Sequence, residues 1–421
     1  MKKNWEQNMA NELSGPVLFN YIWWILREAQ QKNIRTLYFL ARDGYILRDI
    51  AERFCEKFKI DIKCKYIYCS RAALRMPIYH LIGEEAYDLL LLGGYRVTLK
   101  SYLQRLELND AERKRVYVDC GLEKIDEDRA LGRSEQRMVR EKLKRSICYR
   151  MLMEEKSKAA YPSAIGYLKQ EGLFDHESLA IVDSGWTGSM QRSLRQLLQS
   201  AGYQGRLTGF YFGMYKEAKS PEDGTYLTWY FTHSKDAWKK ILFSNNLFEC
   251  ILSAPHGMTV GYATCADNNR YIPILLESIS SKNEVWITNQ INAILHYTNK
   301  RLEKIRFEDF DEEAALKNTR KRISRYMVHP TREEAEYYGR VVFCDDITEA
   351  YYFRLAEEKQ TYMLKNYLIL TRMWQRMFKK RRGQQEELFW LYGSIAFLPS
   401  WKQHWYRLNV YIWEWVRYAL C

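Results

Sequence analysis

Two aspartates stand where strands of an α/β chain are expected to end. Asp43 follows the apolar run Leu37-Tyr38-Phe39-Leu40 within Ala41-Arg42-Asp43-Gly44. Asp183 closes the run Leu179-Ala180-Ile181-Val182 and precedes Ser184-Gly185-Trp186-Thr187-Gly188-Ser189. Ligands of open α/β sheets sit beyond the carboxyl ends of the strands. Two carboxylates there can meet a divalent metal or work as acid and base. Arg42 and Arg71 add guanidinium forks that match phosphate oxygens in pairs. The turn Gly185, Trp186, Thr187, Gly188 and Ser189 comes directly before a helix, where backbone amides favour an anion. These residues predict a metal–phosphate site, with Asp43 and Asp183 on magnesium. Arg42, Gly44, Ser70, Arg71 and the Gly185–Ser189 turn would hold phosphate.

Several of these residues have competing structural roles. Asp43 would serve equally as a helix cap and Gly44 as a turn residue. Ser70 ends the expected strand Lys65–Cys69 and would either hold a phosphate oxygen or cap the following helix. Glu249 and His256 fall in Glu249–Gly261, which reads as a loop. Glu249 is a candidate catalytic base there, and His256 a candidate acid/base or ligand.

The elements that must position these groups follow from hydrophobic periodicity. A helix is predicted over Pro16–Gln31, a strand over Thr36–Leu40, and a helix from the Asp43 turn to about Phe58. Further strands are expected at Val116–Val118, Leu179–Asp183 and Leu207–Met214, with helices over Arg137–Gln170 and up to Leu198. Alternating strands and helices predict an α/β, Rossmann-like fold with a mostly parallel sheet covered by helices. Residues 1–275 are expected to form that domain, with a helical insertion around 80–170. Residues 276–421 are expected to be an α-helical, basic, aromatic-rich region. A helix over Glu284–Ile305 and a capping box joining Thr331 to Glu334 belong to it, with breaks near Gly383 and Pro399. Lys379-Lys380-Arg381-Arg382 reads as a solvated helix end. Trp401, Trp405, Tyr406, Tyr411, Trp413, Trp415 and Tyr418, interleaved with Lys402, Arg407 and Arg417, would pack on the α/β domain or lie on a membrane surface.

Composition narrows the function classes. Lys and Arg number 65 against 52 Asp and Glu, a net +13 that favours anionic partners. No zinc-finger spacing, RNA-binding signature or heptad basic region is present, so no nucleic acid is expected. The nine cysteines include no Cys-x-x-Cys, which argues against a zinc site or disulfide framework and for a reducing cytoplasm. No apolar run has spanning length, so no transmembrane helix is predicted. Phosphate-loop, His-Glu-x-x-His and Gly-x-Ser-x-Gly motifs are absent.

Phe39-Leu40-Ala41-Arg42-Asp43-Gly44-Tyr45-Ile46-Leu47 resembles the first motif of the haloacid dehalogenase-like (HAD) superfamily, a strand followed by Asp-x-Asp-Gly-Thr and a helix. Ser70 stands where that family has a strand-terminal Ser or Thr, and Asp183 where it has a metal-binding acid. Asp43 matches the family's second aspartate, its acid/base, while Ala41 stands at the nucleophile. Alanine cannot form an aspartyl-phosphate. The wider set, with Ser70-Arg71, Asp183–Ser189 and Ala254-Pro255-His256-Gly257, is similar to HAD-type hydrolases of bacterial surface-polysaccharide synthesis. It covers roughly residues 15 to 265 together with His329-Pro330-Thr331.

The resemblance implies a cytoplasmic, magnesium-dependent hydrolase or phosphotransferase. Its substrate would be a phosphorylated or nucleotide-linked sugar. Two alternatives stand beside it. One is a glycosyltransferase with Glu249 or Asp43 as base. The other is a non-catalytic scaffold, peripheral at the inner membrane face and docked to membrane glycan-synthesis proteins, as loss of the carboxylate at Ala41 would suit.

Overall fold

A computed structural model describes residues 4–92, 97–216, 224–267, 269–276, 280–343, 352–377 and 388–419. The Lys379–Arg382 run, Gly383, Cys344 and Cys421 lie outside the described residues. Five strands form one all-parallel sheet: β1 (Thr36–Leu40), β2 (Lys63–Ile67), β3 (Ser178–Trp186), β4 (Arg206–Met214) and β5 (Thr225–Phe231). Their spatial order is β2-β1-β3-β4-β5. Every residue of β1 is buried, because helices cover both faces of a parallel sheet. Leu37 and Phe39 enter one core layer, and Tyr38 and Leu40 the other.

The protein is thus α/β, with a parallel sheet flanked by helices. β2 and β3 pair with β1 on opposite sides, so the chain crosses back over β1 on its way from β2 to β3. That reversal opens a crevice between the carboxyl ends of β1 and β3. Asp43 and Asp183 belong to those two ends.

The Gly15–Gln31 helix is buried almost all round, with Leu18, Phe19, Tyr21, Ile22, Trp23, Ile25 and Leu26 all inside. One side meets the sheet; the other meets the C-terminal helices. Trp23 Nε1 donates to the Phe307 carbonyl oxygen at 2.9 Å, and Ile294, Ile323, Trp390 and Ile395 share its core. The segment 76–153 has a separate core built around Tyr87, Tyr102, Leu103, Val116 and Leu143.

Several sequence expectations need correction. Val116-Tyr117-Val118 is not a strand but part of the Asp110–Cys120 helix, which Asn109 and Glu112 start with a capping box. Val116 is fully buried while Val118 is 66% exposed, so three apolar residues in a row did not share one environment. Glu249 lies on the short helix Asn245–Ile251, and Thr259–Gly261 begins a strand, so Glu249–Gly261 is not one loop. β2 ends at Ile67, leaving Tyr68 and Cys69 beyond the ladder. β3 runs three residues past Asp183. β5 and the antiparallel hairpin of β6 (Thr259–Thr264) and β7 (Tyr271–Leu275) were not anticipated. The Arg137–Gln170 stretch is two helices, Arg133–Arg145 and Ile147–Gln170, divided at Ser146, whose hydroxyl accepts from Tyr149 N. The Thr331–Glu334 capping box is present, with reciprocal bonds of 3.2 and 2.7 Å.

Candidate functional site

The Gly44–Phe58 helix begins directly above the end of β1. A Cβ on Gly44 would sit 2.6 Å from the Phe39 carbonyl carbon, so only glycine lets the chain turn this tightly. Asp43 does not cap that helix through its side chain. Its Oδ2 instead accepts a short hydrogen bond from the Ser184 hydroxyl, 141 residues away. The Ser184 amide donates to Asp183 Oδ1 at 2.9 Å. Ser184 therefore ties the two carboxylates to one point in the β1–β3 crevice.

Burial dominates the electrostatics of the pair. It pushes the Asp183 carboxyl well above the usual carboxylate range, and the nearby Asp43 and Glu249 charges push it further. The Ser184 amide and Arg71 oppose this without cancelling it. Asp43 is also raised by burial, against the Ser184 hydroxyl and Arg42, which favour its ionised form. Arg71, Asp43 and Glu249 thus act on Asp183, and Arg42 acts on Asp43, within one electrostatic neighbourhood. Two carboxylates raised together titrate as a unit.

A second group of cations borders the crevice. Arg71 starts the Arg71–Arg75 helix, which Ser70 caps by accepting from Ala73 N at 3.1 Å. The Ser70 hydroxyl also donates to the Thr259 carbonyl oxygen at 2.6 Å, so its structural role is realised. Arg75, only 5% exposed, donates from Nε to Ser193 Oγ at 3.1 Å on the Ser189–Ser200 helix. Burial, with Arg71 and Arg192 close by, lowers the Arg75 guanidinium to about 10. Like charges gathered this way suit an anion. Arg75 and Arg192 escaped the sequence reading, although Arg75 lies one helical turn from Arg71 and shares its face.

The Gly185–Ser189 turn is more architectural than expected. Gly185 adopts φ +136°, and a Cβ there would lie 2.1 Å from the Gly213 carbonyl oxygen on β4. Trp186 turns inward against Phe231, Phe243 and Phe248, and its Nε1 donates to Glu249 Oε1 at 2.6 Å. Gly188, at φ +66°, immediately precedes the Ser189–Ser200 helix, while Thr187 is exposed. Tyr21 fixes the layer beneath, its hydroxyl lying 2.9 Å from the Asp183 carbonyl and 3.1 Å from that of Phe210.

His256 sits on the other flank. Its Nδ1 faces the Gly257 carbonyl at 2.8 Å and must carry the proton, leaving Nε2 to accept from the Tyr66 hydroxyl at 2.7 Å. Burial, then Arg42, lowers its basicity, against the Gly257 carbonyl, which favours the cation.

The donor chemistry suits a hard cation. Two buried carboxylates in one neighbourhood resist ionising together, and a divalent ion relieves that cost. Among the described residues no group of three or more His, Cys, Asp or Glu is arranged for a metal. Magnesium bound by Asp43 and Asp183 would complete its shell from water and phosphate, as this ion commonly does. No known protein family matches the chain, and no curated protein matches it.

Proposed function

We propose that this protein is an enzyme acting on a phosphorylated or nucleotide-linked sugar, as a HAD-like hydrolase or phosphotransferase of surface-polysaccharide synthesis. The observation that supports it is the meeting of Asp43 and Asp183 through Ser184 at the β1–β3 crevice, bordered by Arg42 and Arg71. Arg71, Arg75 and Arg192 seat the phosphate. Asp43, made more basic by burial against the pull of Ser184 and Arg42, takes the proton of an attacking water or hydroxyl. Ala41 offers no carboxylate to phosphorylate, so the phosphoryl group passes directly to the acceptor as its bond to the leaving oxygen breaks. Magnesium, when bound by Asp43 and Asp183, supplies the positive charge that offsets phosphate. The test is turnover of a sugar-phosphate and nucleotide-sugar panel with magnesium. Asp43→Asn is expected to reduce turnover about 100-fold or more, as for a lost acid/base. Activity unchanged in both Asp43→Asn and Asp183→Asn sinks the reading.

A second observation favours attachment to an anionic lipid surface. On the Ser400–Ala419 helix, Trp401, Trp405, Leu408, Ile412 and Trp415 fall on one stripe and are 40–73% exposed. Leu370, Met373 and Trp374 of the Ile369–Met377 helix are exposed too, and that helix packs beside the first. No helix among the described residues is long and apolar enough to cross a membrane. Tryptophans along one helix face, on a chain of net charge +13, fit a helix lying in a bilayer interface. The protein is expected to sediment with phosphatidylglycerol-containing vesicles. Replacing Trp401, Trp405 and Trp415 by alanine should release it without lowering its melting temperature.

A further inference from the structure

A cleft of about 390 Å³ opens beside the site, between the end of β2, the Gly44–Phe58 helix, the Ile147–Gln170 helix and β7. Five tyrosines line it: Tyr45, Tyr66, Tyr68, Tyr167 and Tyr271. Arg48 and Arg270 stand among them. Tyr66 links the cleft to the carboxylate site, feeling the charges of Asp43 and Arg42, and His256 packs behind the tyrosines, its ring 4.8 Å from Tyr68, 5.7 Å from Tyr66 and 6.1 Å from Tyr45.

The cleft is rigid before any ligand arrives. Tyr68 is pinned on both sides of its backbone, its amide donating to the Tyr167 hydroxyl at 3.0 Å and its carbonyl accepting from Tyr262 at 2.8 Å. Tyr167 and Tyr262 stack at 4.4 Å. Arg48 bonds Asp49 at 2.5 Å while its guanidinium rests 5.5 Å from the Tyr45 ring and 5.7 Å from that of Tyr66. Fixed rings of this kind avoid much of the ordering cost of binding.

Ring orientation selects the ligand. Tyr66 stands at 82° to Tyr68 and at 90° to Tyr45, so it meets both neighbouring rings edge to face. Crossed rings offer one aromatic face for an apolar ring surface and phenolic edges for hydroxyls around it. That is the pattern of a pyranose, with a C–H face and an equatorial rim of hydroxyls. The volume lies at the low end of the about 300–1,000 Å³ typical of small-ligand sites, suiting a mono- or disaccharide.

We propose that this tyrosine cleft is a saccharide subsite, seating the sugar ring of the substrate while its phosphate faces Asp43 and Asp183. The assignment rests on the proposed function for the identity of the reacting end, and on the cleft itself for the sugar.

Saturation-transfer NMR tests it, using free hexoses, N-acetylhexosamines and their 1-phosphates as probes, with AMP as the base-bearing control. At least one free sugar is expected to bind the wild-type chain and Asp183→Asn alike. Ile272→Trp, at a 47% exposed position on the rim, and Tyr68→Ala should each weaken that binding about tenfold or more. Binding of AMP without any sugar, or sugar binding indifferent to both cleft variants, overturns the subsite. Sugar binding with no turnover of any phosphate would instead sink the proposed enzyme while supporting the cleft.

Discussion

Asp183→Asn is expected to lose turnover and gain stability together. The activity loss follows from removing half of the oxygen pair that would hold magnesium. The stability gain follows from burial. The folded state raises the Asp183 carboxyl well above its value in the unfolded chain, chiefly by desolvation and then by the charge of Asp43. The folded protein thus holds this proton more tightly than the unfolded chain. Stability from this group is complete below the unfolded carboxylate range near pH 4 and is lost as pH rises through the folded value. Asparagine keeps the shape and the acceptor for the Ser184 amide but has no charge to bury. With EDTA present, wild type and variant should melt together at about pH 4 and below. The variant should melt higher at pH 8, by about 1 °C for each kcal/mol recovered. Magnesium should close that gap by raising only the wild type. A variant less stable at every pH would show that Asp183 is held as a paired anion, contrary to this account.

Gly185→Ala should be among the most damaging single-methyl additions in the chain. Its φ of +136° resists any side chain, and the new Cβ would stand 2.1 Å from the Gly213 carbonyl oxygen. That obstacle is strand backbone, unable to swing aside, so β3 and β4 must separate where they pair Gly185 with Gly213. Overpacking of this kind costs about 1–3 kcal/mol before the backbone strain is added. The damage reaches the site, because Ser184 and Trp186 flank the position. Gly202→Ala is the control: φ is +90° with no atom within 4 Å of the new Cβ, leaving only the conformational penalty. Urea titration should place Gly185→Ala several times further from wild type than Gly202→Ala. Equal losses would remove the strand contact as the cause.

The central strands were legible because their environment is uniform. β1 and β3 are buried on both faces, so unbroken apolar runs announced them, and the acids after those runs announced the crevice. Tertiary choices were not legible. Val116 and Val118 look alike in sequence, yet a capping box puts them on opposite sides of a helix. Glu249 could not be placed because its partner, Trp186, is 63 residues away. Trp186 reads in sequence as part of a turn that would hold phosphate, whereas its ring packs against Phe231, Phe243 and Phe248. β5 mixes Thr, Tyr and Trp without alternation, since only its second half is buried.

The Gly15–Gln31 helix carries a consequence for biosynthesis. It is synthesised well before the residues near 294, 323 and 395 that share its core. Its Tyr21 hydroxyl supports the strand that bears Asp183. The floor beneath the acids therefore stays incompletely wrapped until those later residues have been made, and the nascent chain must keep that apolar rod from sticking to neighbours while it waits.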